Sequence, residues 1–284
     1  MFGTSPNPLI VNGALTGMVP MKSDNANVPI SPDEIAEDAA RCCEAGAAIV
    51  HLHAREADGT PTWRADAYAE IIGKVRERCP DVVVCVSTSG RLWSELEKRA
   101  EVLELEGDVK PEMASLTLGS LNFPGQASVN EPSMIRGLAK RMYERGVMPE
   151  LEVFDFGMVD FGRYLLERGV LRPPSYFNLL LGSLGTLSAS PLHLSLLAQA
   201  LPAESTWAAA GIGRFQFAVN AVAIASGGHV RVGLEDNLWL DAGREQPASN
   251  AGLVERLGAL ARACGRELAT PEQARAMIGL PQRG

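Results

Sequence analysis

Short apolar runs rich in β-branched residues alternate with helical patterns about eight times along this chain. The predicted strands run Leu9 to Gly17, Ala47 to Arg55, Val82 to Ser89, Met113 to Asn122, Met148 to Asp155, Ser175 to Gly182, Thr206 to Gly213 and His229 to Asp236. The first helix starts at Ser31-Pro32-Asp33-Glu34, a capping box with proline at the first helical position, and closes at Glu44-Ala45-Gly46. Further helices are predicted over Ala65 to Arg78, Glu95 to Glu104, Ser133 to Arg145, Val159 to Arg168, Leu192 to Leu201, Phe215 to Ala225 and Ala251 to Ala263. Thr270-Pro271-Glu272-Gln273 opens one more. Strand then helix, repeated eight times, predicts an α/β fold of the TIM (β/α)8 barrel type with an additional C-terminal helix. An open doubly wound sheet is the alternative, but Asn12-Gly13-Ala14-Leu15-Thr16-Gly17 lacks its Gly-rich fingerprint. Gly211-Ile212-Gly213-Arg214 is an incomplete dinucleotide signal, explained equally by close packing or by an anion held on backbone amides.

With 284 residues the chain fits one barrel, which usually takes about 250. No Gly/Ser/Pro-rich linker or low-complexity tract divides it, so residues 1–284 are expected to form a single domain. A net charge of −8 without a Lys/Arg cluster argues against a general nucleic-acid surface. No apolar run nears the roughly 20 residues of a membrane helix, and the first residues lack a signal-peptide pattern, so the expected location is cytoplasmic. Five cysteines without a Cys-x-x-Cys spacing read as reduced, mostly core thiols.

The candidate chemistry starts at His51-Leu52-His53-Ala54-Arg55, behind the run Ala47-Ala48-Ile49-Val50. On a strand His51, His53 and Arg55 share one face, and two imidazoles two residues apart can grip one metal. Arg231-Val232-Gly233-Leu234-Glu235-Asp236-Asn237 ends another strand in carboxylates, and His, His and Glu with an open position is a usual catalytic zinc set. The competing readings are a hydrogen-bonded pair of core histidines and a polar Asx turn. If His51 and His53 point inward, similar alternation turns Ser87, Ser89, Ser115, Thr117, Glu150, Glu152, Arg231, Gly233 and Glu235 inward as well. An inward Arg231 would then find one or two glutamates to pair with. Ser87-Thr88-Ser89-Gly90 is a candidate carboxylate-binding turn, an ordinary turn being the alternative, and Trp93, Phe123 and Phe154 are candidate pocket walls, core packing being the alternative. His193 near a helix start and His229 at the opposite end of the barrel read as structural.

The ordered motifs Asn12 to Gly17, His51 to Arg55, Ser87 to Gly90, Pro111 to Leu116, Gly119 to Phe123, Pro149 to Phe154, Trp207 to Gly213 and Gly227 to Asn237 resemble those of the β-keto acid cleavage enzymes. The resemblance spans nearly the whole chain. It implies a zinc-dependent, generally homo-oligomeric TIM barrel, tetrameric by preference, that converts a β-keto acid and acetyl-CoA into acetoacetate and a new acyl-CoA. Carried over by position, His51, His53 and Glu235 correspond to the zinc ligands. Ser87, Gly90 and Ser115 correspond to substrate contacts, Ser115 keeping the hydroxyl of a threonine. Asp236 resembles the family's base, supported by Arg231 and Glu152. Val19 departs from the pattern, standing where a member acting on an aminated keto acid carries glutamate. An ammonium facing Val19 would lose its counter-charge, so the resemblance implies a substrate with a neutral or apolar tail. The rival readings are a zinc-dependent hydrolase on the same barrel and a non-catalytic protein that binds metal or acyl-CoA.

Overall fold

A computed structural model describes residues 7–283. The alternating runs form a closed parallel barrel of eight strands: β1 (Val11–Ala14), β2 (Ile49–Leu52), β3 (Val83–Val86), β4 (Met113–Thr117), β5 (Met148–Val153), β6 (Ser175–Leu181), β7 (Ser205–Gly211) and β8 (His229–Val232). Each strand neighbours the next in chain order, and β8 closes onto β1 with Asn12 beside Arg231. Between and after the strands run α1 (Pro32–Ala45), α2 (Ala65–Arg78), α3 (Leu96–Ala100), α4 (Pro132–Glu144), α5 (Phe156–Glu167), α6 (Pro191–Ala200), α7 (Gln216–Ala225) and α8 (Asn250–Ala263). This is the expected TIM barrel.

The caps behave as the sequence suggests. Ser31 accepts from the Glu34 amide and the Glu34 side chain reaches back to the cap, while Gly46 ends α1 in the left-handed conformation. Ile35, Ala36, Ala39 and Cys42 line one face of α1 and are buried, so the helix is held by packing as well as by its ends. The outward residues of the strands, among them Val50, Leu52, Val84, Val86, Leu116, Leu151 and Val153, join this layer between sheet and helices.

Inside the barrel the lower layer is apolar: Ile10, Ile49, Val83, Met113 and Tyr176. The final helix, α9 (Pro271–Ile278), begins at the Thr270 capping box and presses Ala274 and Ile278 against this layer. It closes the floor of the barrel, with Leu9 tied to the segment before it through Leu9 N–Glu267 O at 2.7 Å and Ala269 N–Leu9 O at 2.8 Å. No helix among the described residues is long and apolar enough to cross a membrane.

Several elements are shorter than their patterns suggest. β8 stops at Val232 because the chain turns at Gly233, whose φ is 156°. A Cβ there would sit 2.0 Å from the Ala14 carbonyl oxygen, so only glycine allows this approach. β2 stops at Leu52, and Ala54–Arg55 pairs instead with Pro61–Thr62 in a small antiparallel ribbon. The helix expected over Glu95 to Glu104 is divided into α3 and a 3-10 turn over Glu101–Glu104.

Candidate active site

The upper half of the barrel interior is polar, and strand register explains how. His51 lies level with Cys85 on β3, Ser115 with Glu150 on β5, and Asn12 with Arg231 on β8. Residues two further along each strand then face the open, C-terminal end, where barrels of this type carry their chemistry.

His51 Nε2 and His53 Nε2 face each other at 3.3 Å. Glu235 Oε1 lies 3.3 Å from His53 Nε2, and Glu235 Oε2 lies 3.9 Å from His51 Nε2. The other nitrogen of His51 is committed: Nδ1 meets Glu150 Oε2 at 2.9 Å. A carboxylate at Nδ1 places the proton there and leaves Nε2 with its lone pair directed at His53. Glu235 Oε2 is buried without a hydrogen-bond partner. Two imidazole nitrogens and the Glu235 carboxylate, one of whose oxygens is otherwise unpartnered, gather within 4.8 Å as a donor set that fits a cation, and its nitrogen and oxygen composition suits zinc. His51, Cys85 and Glu150 also lie close together, but Glu150 is already held by His51, by Asn12 Nδ2 at 2.6 Å and by Asn178 Nδ2 at 3.2 Å. That carboxylate orients His51 rather than facing open space.

Arg231, fully buried, binds the acidic side of the site. Its Nε is 2.9 Å from Asp236 Oδ2, its Nη2 is 2.8 Å from Glu235 Oε1, and its Nη1 is 3.3 Å from Glu152 Oε1. Thr117 Oγ1 donates to Glu152 Oε2 at 2.7 Å. The turn begun at Gly233 brings Glu235 and Asp236 to the same guanidinium, which consecutive residues of a regular strand would not reach together. Gly213 N donates to the Asp236 carbonyl oxygen at 2.7 Å, so the Gly211-Ile212-Gly213 stretch fixes this turn through a backbone hydrogen bond. A side chain at Gly17, where φ is 66°, would strike Glu235 Cγ at 2.6 Å.

One guanidinium does not neutralise every acid around it. Burial pushes Glu235 up, but Arg231, His53 and His51 outweigh it and hold that carboxyl well below its usual range. Glu150 is held at about 2 by His51 and Arg231 against its own burial. Asp236 is raised, because burial and the Glu235 charge prevail over Arg231. Glu152 is raised as well, by burial and then Glu150, despite Arg231 and the Thr117 hydroxyl. Burial, joined by the charges of His51 and Arg231, outweighs Glu235 and sets His53 low, whereas Glu150 and Glu235 overcome burial to raise His51. The pair is thus split by which imidazole holds a dedicated carboxylate.

A cavity of about 350 Å³ opens above these groups, lined by both histidines, Ser87, Ser89, Ser115, Glu152, Arg231, Glu235 and Asp236. Met18, Val19, Pro20, Leu180 and Leu184 supply apolar lining. Phe123 and Phe154 form part of the wall, packed edge to face, while Trp93 packs on Trp63 outside it. Gly90 is not part of the lining: the Val129 carbonyl oxygen would be 2.5 Å from a Cβ there, and the glycine packs against Val129, Arg99 and Asn130. Arg55 does not point along the barrel axis with the histidines. From the ribbon it binds the carbonyls of Thr16, Gly17 and Gly59, clamping the loop after β1. A larger cavity, about 640 Å³, lies between α1, α2 and the ribbon and contains neither the histidines nor Asp236.

Glu150, Asn12 and Asn178 complete the site beyond its expected members. The alternation of Glu150 with Glu152 signalled an inward acid but not its hold on His51. Asn178 is embedded in the apolar run of β6 and gave no chemical signal beyond being polar within it. The remaining histidines are elsewhere. His193 lies at the start of α6 with Ser188, and His229 accepts the Ile10 amide at 3.0 Å near the barrel floor.

A parallel β/α barrel with a His-His-Glu cluster and a buried Arg-carboxylate group at its C-terminal mouth defines the class of molecule. The model of the beta-keto acid cleavage enzymes matches residues 8–280, and the chain belongs to that family. It is an acyltransferase-type β-keto acid cleavage enzyme. It is 42% identical to the 3-keto-5-aminohexanoate cleavage enzyme of Fusobacterium nucleatum, over 96% of this chain and 98% of that protein. It is 38% identical to the 3-oxoadipate:acetyl-CoA acetyltransferase of Cupriavidus necator, over 96% of this chain and 95% of that one. Among solved structures, the ternary complex of ObcA with a C4-CoA adduct and oxalate superposes with a TM-score of 0.79 at 26% identity, covering 89% of this chain and 68% of that one.

Proposed function

We propose that the chain is a zinc-dependent enzyme that takes a β-keto acid and acetyl-CoA to acetoacetate and a new acyl-CoA. The observation that carries this reading is the facing of His51 and His53 across 3.3 Å beside the unpartnered Glu235 oxygen, next to a carboxylate, Asp236, of raised proton affinity. The Fusobacterium and Cupriavidus relatives, by their names, support keto acid cleavage and acetyl-CoA as co-substrate.

His51, His53 and Glu235 hold the metal, Glu150 orients His51, and Ser87 and Ser115 donate to the substrate carboxylate. Zinc, when bound, supplies Lewis-acid polarisation of the ketone. Asp236 removes a proton from the carbon between ketone and carboxylate, and Arg231 keeps its carboxylate aimed into the cavity. That carbon bonds to the acetyl carbonyl carbon as CoA leaves. CoA then bonds to the substrate's former ketone carbon as the original carbon–carbon bond breaks. Asp236 returns its proton to acetoacetate, and atoms balance without a covalent enzyme adduct. Gly90 contributes by shaping the turn that presents Ser87 and Ser89. The apolar surface around Val19 offers an ammonium no partner, which favours a neutral or apolar segment of substrate there. Leu192 and Leu196 are exposed on α6, and this apolar pair supports homo-oligomeric assembly through that helix, tetrameric as the family likeness implies.

Incubation of the zinc-loaded protein with β-keto acids, with and without acetyl-CoA, tests the reading. Acetoacetate and a new acyl-CoA should form together, only when acetyl-CoA is present. Breakdown of the acids without acetyl-CoA would replace this reading with a hydrolase or decarboxylase.

A further inference from the structure

Arg91 lines the same cavity as the histidines and Asp236, and the mechanism above leaves it without a task. Its guanidinium carbon stacks 3.8 Å from the centroid of Phe123, and its Nε is buried without a hydrogen-bond partner. The neighbouring arginines differ. Arg55 is saturated by carbonyls, Arg99 by the Thr88 and Val129 carbonyls and Asn130, and Arg231 by three carboxylates. Glu152, Glu235 and Asp236 all give their ion pairs to Arg231 rather than to Arg91. A guanidinium facing a cavity while its donors go unused is arranged for an anion that enters from outside, since burying it unpaired is otherwise costly.

Burial lowers the proton affinity of Arg91, and the negative field of Glu235, Glu152 and Asp236 only partly restores it. The side chain remains a cation at any working pH. Chain position and packing separate its role from that of the serines. Ser87 and Ser115 belong to the polar layer beside His51, where the reacting carboxylate belongs, whereas Arg91 stands four residues past Ser87, against the Phe123 wall.

We propose that Arg91 determines specificity for the far end of the substrate by pairing with a second carboxylate, so that the acid cleaved is a β-keto dicarboxylate. The inference rests on the cleavage reaction proposed above and names its substrate class. The apolar expectation drawn from Val19 then applies to the methylene stem, which lies along Val19, Leu184, Phe123 and Pro124, and not to its tip. Arg presents a planar fork that matches a carboxylate, and the Phe123 ring beneath holds that fork in place.

The test uses two six-carbon acids that differ only at the far end, 3-oxohexanoate and 3-oxoadipate, with the full-length zinc-loaded protein and its Arg91→Gln and Arg91→Lys variants. Specificity, kcat/KM, is measured with acetyl-CoA, and binding of each acid is measured by calorimetry without it. The wild-type protein is expected to favour 3-oxoadipate by roughly 10- to 100-fold, the usual worth of a charge-assisted pair. Arg91→Gln removes that ratio and Arg91→Lys keeps part of it. Equal handling of both acids by the wild-type protein overturns the proposal. So does a parallel loss of both in Arg91→Gln, which would place Arg91 on a group they share. Arg91-dependent binding of the dicarboxylate alone, with neither acid cleaved, supports the tail site and overturns the reaction reading instead.

Discussion

Arg231 Nε holds Asp236 Oδ2 at 2.9 Å from within the barrel, yet Asp236 remains a carboxyl of raised proton affinity because its burial and the neighbouring Glu235 charge outweigh that pairing. The arrangement aims the base without exhausting its basicity. Asp236→Asn keeps the shape and the hydrogen bond but removes the proton acceptor. It should lower kcat by about 10²- to 10⁴-fold while zinc content stays at wild-type level. Near-normal turnover with full zinc would remove Asp236 from the base role.

Replacing Arg231 tests the other half of the relationship. Arg231→Met leaves Glu152, Glu235 and Asp236 crowded without their cation, and breaking a buried pair of this kind costs about 3–5 kcal/mol. Urea unfolding should show a loss of that order, and a variant as stable as the parent would contradict the charge accounting.

The metal assignment separates ligands from their support. His51→Ala should bind no stoichiometric zinc by elemental analysis. Glu150→Gln, which leaves all three ligands in place, should weaken zinc affinity by roughly 10- to 100-fold through the His51 Nδ1 contact. A zinc-replete, active His51→Ala protein would sink the ligand set.

Val19 reports on the substrate stem. Val19→Glu supplies the acid that an aminated tail requires, so the ratio of kcat/KM for an aminated over a neutral β-keto acid should rise. An unchanged ratio would show that the tail does not pass Val19.

His229 links stability to pH at the barrel floor. Burial first, and then the Arg266 charge, hold it near 3 against an ordinary value of 6.5. Below about pH 6.5 the unfolded chain takes up a proton that the folded chain refuses until near pH 3. Stability is therefore present above 6.5 and lost as pH falls through this window, at no more than about 1.4 kcal/mol per pH unit. Between pH 7 and 4.5 the wild-type protein should lose roughly 2–3 kcal/mol more than His229→Gln in urea unfolding. Parallel losses would mean that His229 takes up its proton in the folded state.

The barrel was legible because its strands and helices carry their own periodicities and caps, as Ser31, Glu34 and Gly46 show at α1. His51 and His53 were legible as a pair because alternation survives across the end of β2. Arg55, read on the same face, escaped that logic when the strand ended at Leu52 and the chain entered the ribbon. The meeting of Glu235 and Asp236 at Arg231 depends on the turn at Gly233, a backbone event that side-chain alternation does not encode. The hold of Glu150 on His51 joins residues 99 positions apart, so only strand register reveals it. Arg91 carried no periodic signal. Its meaning lies in what does not surround it.

The central claim is that the acetyl group of acetyl-CoA ends in acetoacetate while the rest of the keto acid leaves on CoA. Acetyl-CoA labelled with ¹³C in both acetyl carbons, reacted with unlabelled 3-oxoadipate and analysed by mass spectrometry, follows that transfer directly. The account predicts acetoacetate heavier by two mass units and an unlabelled new acyl-CoA. Unlabelled acetoacetate, or label in the new acyl-CoA, would contradict it.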